Sequence, residues 1–394
     1  MYVAGLGVIS AIGNSIAETM GSFENSRSGI SARATHLNTI LDLPVGEVKY
    51  SNEELVHQSG LQKKVTRTAM LGILAARQAV KHAGIEDRKE WRTGLISANT
   101  VGGMDKTELF FPDFLKDENS GRLRDVLYHE CGSVTELIAD DLGIKDFVST
   151  INTACSSSVN SIIFGARLIR HGQLDIVIAG GTDALTKFTL NGFNSLMILD
   201  KEPCKPFDAN RAGLNLGEGA GLMVLVSERV LQKEKINPLS FISGFGNNND
   251  AFHQTASSPE GRGSFLAMKN AIEKAGLNLE DIQYINLHGT GTVNNDSSEG
   301  NAIKRLFGQM IPKLSSTKAF TGHTLGASGG IEAVFSVLSI VHGCVFPNLR
   351  FKNPIPESGM VPQLTFERSL PIKNVLSNSF GFGGNCSSII FSRA

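Results

Sequence analysis

Short apolar runs and helix-period segments alternate along this chain, and that alternation confines it to an α/β architecture. Thr93 to Ala98, Phe147 to Ile151, Asp175 to Gly181, Leu222 to Val226 and Ile282 to Leu287 read as strands. Val65, Ala69, Gly72, Ile73, Ala76 and Val80 line one face of a helix that Gly84 closes. Helical spacing returns over Phe265 to Ala275, Asp296 to Leu306 and Ile331 to Val341. The opening Val3-Ala-Gly-Leu-Gly7 and the later Phe241-Ile-Ser-Gly-Phe-Gly246 share one character, a strand broken by glycines. One α/β unit used twice would explain this, with a boundary near residue 238 after the charged connector Ser227 to Pro238. A chain of 394 residues has room for two such halves. Their layers would stack and leave a site where they meet.

Three segments carry candidate chemistry. The strand Phe147 to Ile151 leads into Asn152-Thr-Ala-Cys155-Ser-Ser-Ser158, and apolar residues then recur at helical spacing from Val159 to Ile169. Cys155 therefore stands at a helix N-terminus, where free N–H groups and the dipole favour a thiolate. Its small neighbours would leave a substrate room to approach. His288, in Asn286-Leu-His-Gly-Thr290-Gly-Thr292, follows a strand and lies at the C-terminal edge of a sheet, the usual place for an α/β site. His323 sits on the glycine-rich loop Lys318 to Gly330, before an apolar helix with Glu332 just inside it. A further loop, Asn378-Ser-Phe380-Gly-Phe382-Gly-Gly384, separates two strand-like runs.

Composition excludes some alternatives. A net charge of -1 does not suit a general nucleic-acid or membrane-surface binder. No stretch approaches the ~20 uninterrupted apolar residues of a membrane span. The N-terminus lacks a basic region and breaks at Gly5 and Gly7, so a first strand is expected there instead of a signal peptide. The five cysteines are scattered and form no CxxC pair, which favours free thiols and a cytoplasmic setting. Gly5-Leu-Gly7 lacks the third glycine and the acidic partner of a dinucleotide loop.

Taken in order, TACSSS, HGTGT, KAFTGH and FGFGG resemble the β-ketoacyl-acyl-carrier-protein synthases of fatty-acid and polyketide synthesis, in their elongating Cys-His-His branch. The resemblance spans almost the whole chain, including Lys205-Pro-Phe-Asp208, Gly217 to Gly221 and Asp250 to Thr255. It implies a thiolase-like α/β/α/β/α fold of two related halves. The first, 1–238, would carry the cysteine; the second, 239–394, would carry both histidines and the glycine-rich loop. The implied reaction is a decarboxylative Claisen condensation in fatty-acid elongation, with Cys155 taking the acyl chain. The backbone N–H groups of Cys155 and Phe382 would form an oxyanion hole, and Nε2–H of His288 and His323 would hold the enolate. Lys318 would place charge near His323, with Glu332 buried behind and paired to it.

The resemblance also assigns Thr290 and Thr292 to the pantetheine amides and Phe382 to a mobile gate. Phe380, Gly381 and Gly383 beside that gate are placed in substrate binding. Lys63, Lys64 and Arg67 would meet an acidic acyl carrier protein, although a solvated helix face fits them equally. Substrates would arrive on 4'-phosphopantetheine, with no other cofactor and no metal, and the protein would be a homodimer. The departures are Val293 where proline is frequent, Arg211-Ala-Gly for Arg-Asp-Gly, and Cys386 after the terminal glycines. They leave open a polyketide or aryl-polyene pathway. A non-catalytic chain-length partner subunit stands against the presence of Cys155. Taken singly, these residues have blander readings: Cys155 as an inert core thiol, the histidines as loop residues or zinc ligands, and Phe380 and Phe382 as core aromatics.

Overall fold

The computed structural model describes residues 1–61, 65–85 and 87–394. Five strands come from the first part of the chain: β1 (Tyr2–Ser10), β2 (Thr93–Ala98), β3 (Phe147–Ile151), β4 (Ile176–Asp183) and β5 (Gly219–Val226). Five come from the second: β6 (Ser240–Asn249), β7 (Tyr284–Asn286), β8 (Lys313–Ser315), β9 (Asn374–Phe380) and β10 (Asn385–Ser392). All ten join one sheet in the order β3-β2-β4-β5-β1-β6-β10-β9-β7-β8. Each set of five repeats one pairing scheme. The first strand is antiparallel to the fifth and the fifth to the fourth. The fourth is parallel to the second, and the second to the third. The sets meet at β1 and β6 through two residue pairs, Tyr2 with Phe241 and Val3 with Ser240.

Helices complete the layers. Arg67–Ala83 packs on β1, β4 and β5, and Arg262–Ala275 packs on β6, β9 and β10. Between the two sets of strands lie the central helices Ser157–Arg170 and Ser328–His342, which touch each other and strands of both sets. This gives the five-layer α/β/α/β/α arrangement that the resemblance implies. Strands buried on both faces are apolar throughout. In β5, Leu222, Val224 and Val226 face the outer helix, while Met223 and Leu225 face the centre. Leu325–His342 is apolar enough over 18 residues to cross a membrane by composition, yet 89% of that stretch is buried in the protein. A helix apolar on every side is what a central layer requires.

The glycines of the two similar strands have one job. A β-carbon on Gly7 would lie 1.9 Å from the Ala75 carbonyl oxygen, and one on Gly5 2.2 Å from that of Ala79. On β6, a β-carbon on Gly246 would lie 2.1 Å from the Ala267 carbonyl and one on Gly244 2.2 Å from that of Ala271. In both sets the glycines let an alanine-faced outer helix seat directly on the strand.

Candidate active site

β3 ends at Ile151 and the chain turns sharply before the central helix begins at Ser157. Ala154 takes φ +54°, a left-handed conformation that costs an L-residue about 1–2 kcal/mol. Side chains hold the turn: Asn152 Oδ1 accepts from Ala154 N–H (3.3 Å), and Ser157 Oγ from Thr153 N–H (2.8 Å). Cys155 is thereby set at the helix mouth, only 6% exposed. The serines after it pack tightly instead of opening space. Ser156, Ser157 and Ser158 are fully buried, and Ser158 Oγ accepts from Gly330 N–H (2.7 Å) on the other central helix. The expectation that small neighbours admit a substrate is corrected: they let two helix starts approach.

His288 follows β7 and is held by Glu299, whose carboxylate accepts from His288 N–H (2.9 Å) and Gly289 N–H (2.8 Å). His323 is pinned through its backbone: its N–H donates to Asn215 O (2.7 Å) and its carbonyl accepts from Gly217 N–H (2.9 Å). Its Nε2 lies 3.1 Å from Cys155 Sγ. The two imidazoles meet edge to face with centroids 5.4 Å apart. Lys318 is buried behind them. Its ammonium donates to Glu332 and to the His288 carbonyl (2.6 Å), and lies 3.4 Å from His288 Nδ1. The ion pair with Glu332 matches the expectation. The other hydrogen bonds of Lys318 go to His288, and its charge also reaches His323.

Hydrogen-bond partners assign both tautomers. Leu325 N–H donates to His323 Nδ1 (3.2 Å), and the Lys318 ammonium faces His288 Nδ1. Each Nδ1 is an acceptor, so each neutral ring carries its proton on Nε2. Burial, and the charge of Lys318, hold both histidines well below the ordinary imidazole range. The ligand atoms of Cys155, His288 and His323 lie within 4.8 Å of one another. A metal-bound imidazole usually presents its outer N–H to an acceptor. Here donors face both outer nitrogens, which opposes the zinc reading.

Burial also decides the state of Cys155. Desolvation pushes its thiol up to about 11, against the opposing pull of Lys318 and of the Phe382 and Cys155 backbone N–H groups. The helix start therefore does not yield a resting thiolate, and that expectation is corrected. Burial likewise raises Glu332 and Glu299 to about 7 and Asp183 to about 6.

A cavity of about 280 Å³ opens onto the sulfur. Its lining includes His288, His323, Thr290, Thr292, Phe380 and Phe382. Phe380 is buried, its ring 5.8 Å from that of His288. Phe382 is half-buried and stacks on Phe193 at 5.9 Å. Thr290 and Thr292 share a hydroxyl hydrogen bond of 2.9 Å. A β-carbon on Gly381 would lie 2.7 Å from the Thr153 carbonyl, so the Phe382 loop rests on the Cys155 turn. Gly383 takes φ +81°, a conformation that glycine adopts freely.

The docking assignment of Arg67 is overturned. Its guanidinium is buried and pairs with Glu218 at 2.6 Å, with further bonds to the Val48 and Tyr50 carbonyls. No partner could reach it. Lys63 and Lys64 lie outside the described residues. The periodicity also gave no sign of the positioning carboxylates. Glu299 orients His288, and Asp296 accepts from Gly291 N–H (3.2 Å). Asp183 ties Thr100 and Val101 to Gly326. Polar residues on an otherwise buried helix face, as in Asp296 to Glu299, are the one sequence signal that points to them.

Residues 2–230 match the beta-ketoacyl synthase N-terminal domain, and residues 239–352 match the beta-ketoacyl synthase C-terminal domain. The chain is 35% identical to 3-oxoacyl-[acyl-carrier-protein] synthase 2 of Staphylococcus aureus (strain N315), over 100% of this chain and 98% of the relative. Among solved structures it is similar to the ishigamide ketosynthase/chain length factor, with TM-score 0.93, 27% identity, and coverage of 100% and 98%. It is also similar to a ketosynthase (ApeO) in complex with its chain length factor (ApeC) from Xenorhabdus doucetiae, with TM-score 0.85, 30% identity, and coverage of 100% and 98%.

Proposed function

Because this chain belongs to the β-ketoacyl synthase family, we propose that it condenses an acyl thioester, carried on Cys155, with malonyl-acyl carrier protein in fatty-acid chain elongation. The products are 3-oxoacyl-acyl carrier protein and CO2. The observation that carries this reading is the meeting of one thiol and two Nε2–H imidazoles beside a cavity.

The Cys155 sulfur attacks the acyl carbonyl, and its proton ends on the departing pantetheine sulfur. The backbone N–H groups of Cys155 and Phe382 receive the oxyanion. Collapse breaks the bond to the carrier's pantetheine sulfur, which leaves as a thiol. Malonyl then loses CO2, and the electron pair of the broken C–C bond becomes an enolate. His288 and His323 donate to the enolate oxygen, each worth about 3 kcal/mol in a dry site. Their neutral state is what Lys318 and burial enforce, and a neutral N–H donor holds the oxygen without protonating it. The enolate carbon attacks the acyl group on Cys155, the C–S bond breaks, and the freed sulfur takes a proton from solvent. Thr290 and Thr292 offer hydroxyls to the pantetheine arm, and Phe382 moves aside on its glycines.

A homodimer fits the free edge of β3. Among the described residues only β2 pairs with that strand, and Val148 on it is 39% exposed. Phe111, Leu115, Leu123 and Leu127 are also exposed, in the segment between β2 and β3. Five free thiols suit a cytoplasmic protein. Solved relatives of a ketosynthase/chain length factor kind favour a second reading, condensation in a polyketide or polyene pathway. Intact mass spectrometry with a panel of acyl-carrier thioesters tests both. An acyl adduct on Cys155, followed by malonyl-dependent CO2 release and a 3-oxo product, is expected. Absence of the adduct would overturn the proposal, and the accepted primers separate the two pathways.

A further inference from the structure

A ring of amides and hydroxyls lies beneath the Cys155 turn. Asn385, at the start of β10, is its hub. Its Oδ1 is 2.8 Å from Ser156 Oγ, and accepts from Asn160 Nδ2 (2.9 Å) and Asn247 Nδ2 (3.0 Å). Ser387 Oγ stands at 3.3 Å. Asn160 closes the ring: its Nδ2 also donates to Thr153 Oγ1 (2.8 Å), and its Oδ1 accepts from Asn247 Nδ2 (2.8 Å) and Ser387 Oγ (2.8 Å). The donors surrounding Asn385 Oδ1 fix its amide orientation.

Asn385 also holds the loop that carries the second oxyanion donor, Phe382 N–H. Its backbone carbonyl accepts from Gly381 N–H (2.8 Å). One residue thus grips the root of the Phe382 loop with its main chain. Its side chain grips Ser156, the neighbour of the nucleophile. That double grip joins the two segments that carry the Cys155 and Phe382 N–H groups.

We propose that Asn385 is a positioning residue that sets the spacing of the oxyanion donors during acylation of Cys155. This rests on the condensing reading above. The decarboxylating donors, His288 and His323, are held by Glu299, Lys318, Leu325, Asn215 and Gly217, and among the described residues no hydrogen bond joins any of these to the ring. The two half-reactions therefore separate. A misplacement of about 1 Å in a reacting geometry lowers rate about 10²-fold.

The test measures single-turnover acylation of Cys155 by an acyl-carrier thioester, and malonyl-carrier decarboxylation, in one set of variants. Asn385→Ala should slow acylation about 10- to 100-fold and leave decarboxylation within about two-fold. Asn385→Asp keeps the acceptor and should restore most of the acylation rate. Ser156→Ala removes the same bond from the other side. It should reproduce the defect, and the double variant should be no worse than the more impaired single variant. Equal losses in both half-reactions, or unchanged acylation in Asn385→Ala, would overturn the proposal. If Asn385→Ala does not fold, normal acylation in Ser156→Ala overturns it instead. A wild-type protein that neither acylates nor decarboxylates defeats the condensing reading, a result distinct from either of these.

Discussion

At the scale of single residues, burial outweighs position. A cysteine at a helix mouth is expected to ionise early, but Cys155 is enclosed, and its thiol is pushed up to about 11. Alkylation of Cys155 by iodoacetamide, followed by peptide mass spectrometry, should therefore rise about tenfold per pH unit from pH ~7 to ~9. A plateau near pH 8 would contradict it. The histidines shift the other way, so no protonation removes their donors or recharges them near neutrality. Nitrogen-15 NMR should find both rings neutral as pH falls through about 6.5, where an ordinary imidazole titrates, and Glu299 and Glu332, whose carboxyls burial pushes up to about 7, should account for any pH dependence there of malonyl decarboxylation. Substituting alanine for either histidine should lower it about 10²- to 10³-fold. The identities of these residues were legible because thiol and imidazole chemistry is rare and sits in short motifs. Their charge states were not, because they depend on enclosure by segments far along the chain.

At the scale of elements, contacts across long separations decide what a local pattern means. Lys63, Lys64 and Arg67 form a basic run, but Arg67 finds Glu218 some 151 residues away. Arg67→Ala leaves that carboxylate buried and unpaired, and should destabilise the protein by about 3–5 kcal/mol in urea unfolding. KM for the carrier protein should not change, the opposite of what a docking residue would show. The glycine pairs behave likewise. Gly7→Ala or Gly246→Ala drives a β-carbon into a helix carbonyl and should cost about 1–3 kcal/mol by the same measurement. The central helix begins at Ser328, ahead of the Ile331 start that spacing suggests. Gly329 and Gly330 look like loop residues in sequence. In the fold they are helical, and they are glycine because Ser379 and Gly221 approach too closely for side chains.

At the scale of the molecule, strand and helix alternation and the two glycine-broken strands made an α/β duplication legible. The joining of both sets into one sheet was not, since it rests on two residue pairs at β1 and β6. Sedimentation should give a dimer, and Val148→Asp on the open edge of β3 should shift it to monomer. The repeat reaches the site itself. Ala154 and Leu325 both take positive φ, each three places before a central helix begins at Ser157 and Ser328. One copy of this elbow bears the thiol; in the other, Gly326 donates its N–H to Asp183. The sulfur and the imidazole that touches it are 168 residues apart in the chain. A contact of such span cannot form before both segments have been synthesised. A ribosome therefore delivers the thiol long before the imidazoles that meet it, and the growing chain holds no assembled centre until its later strands have been made.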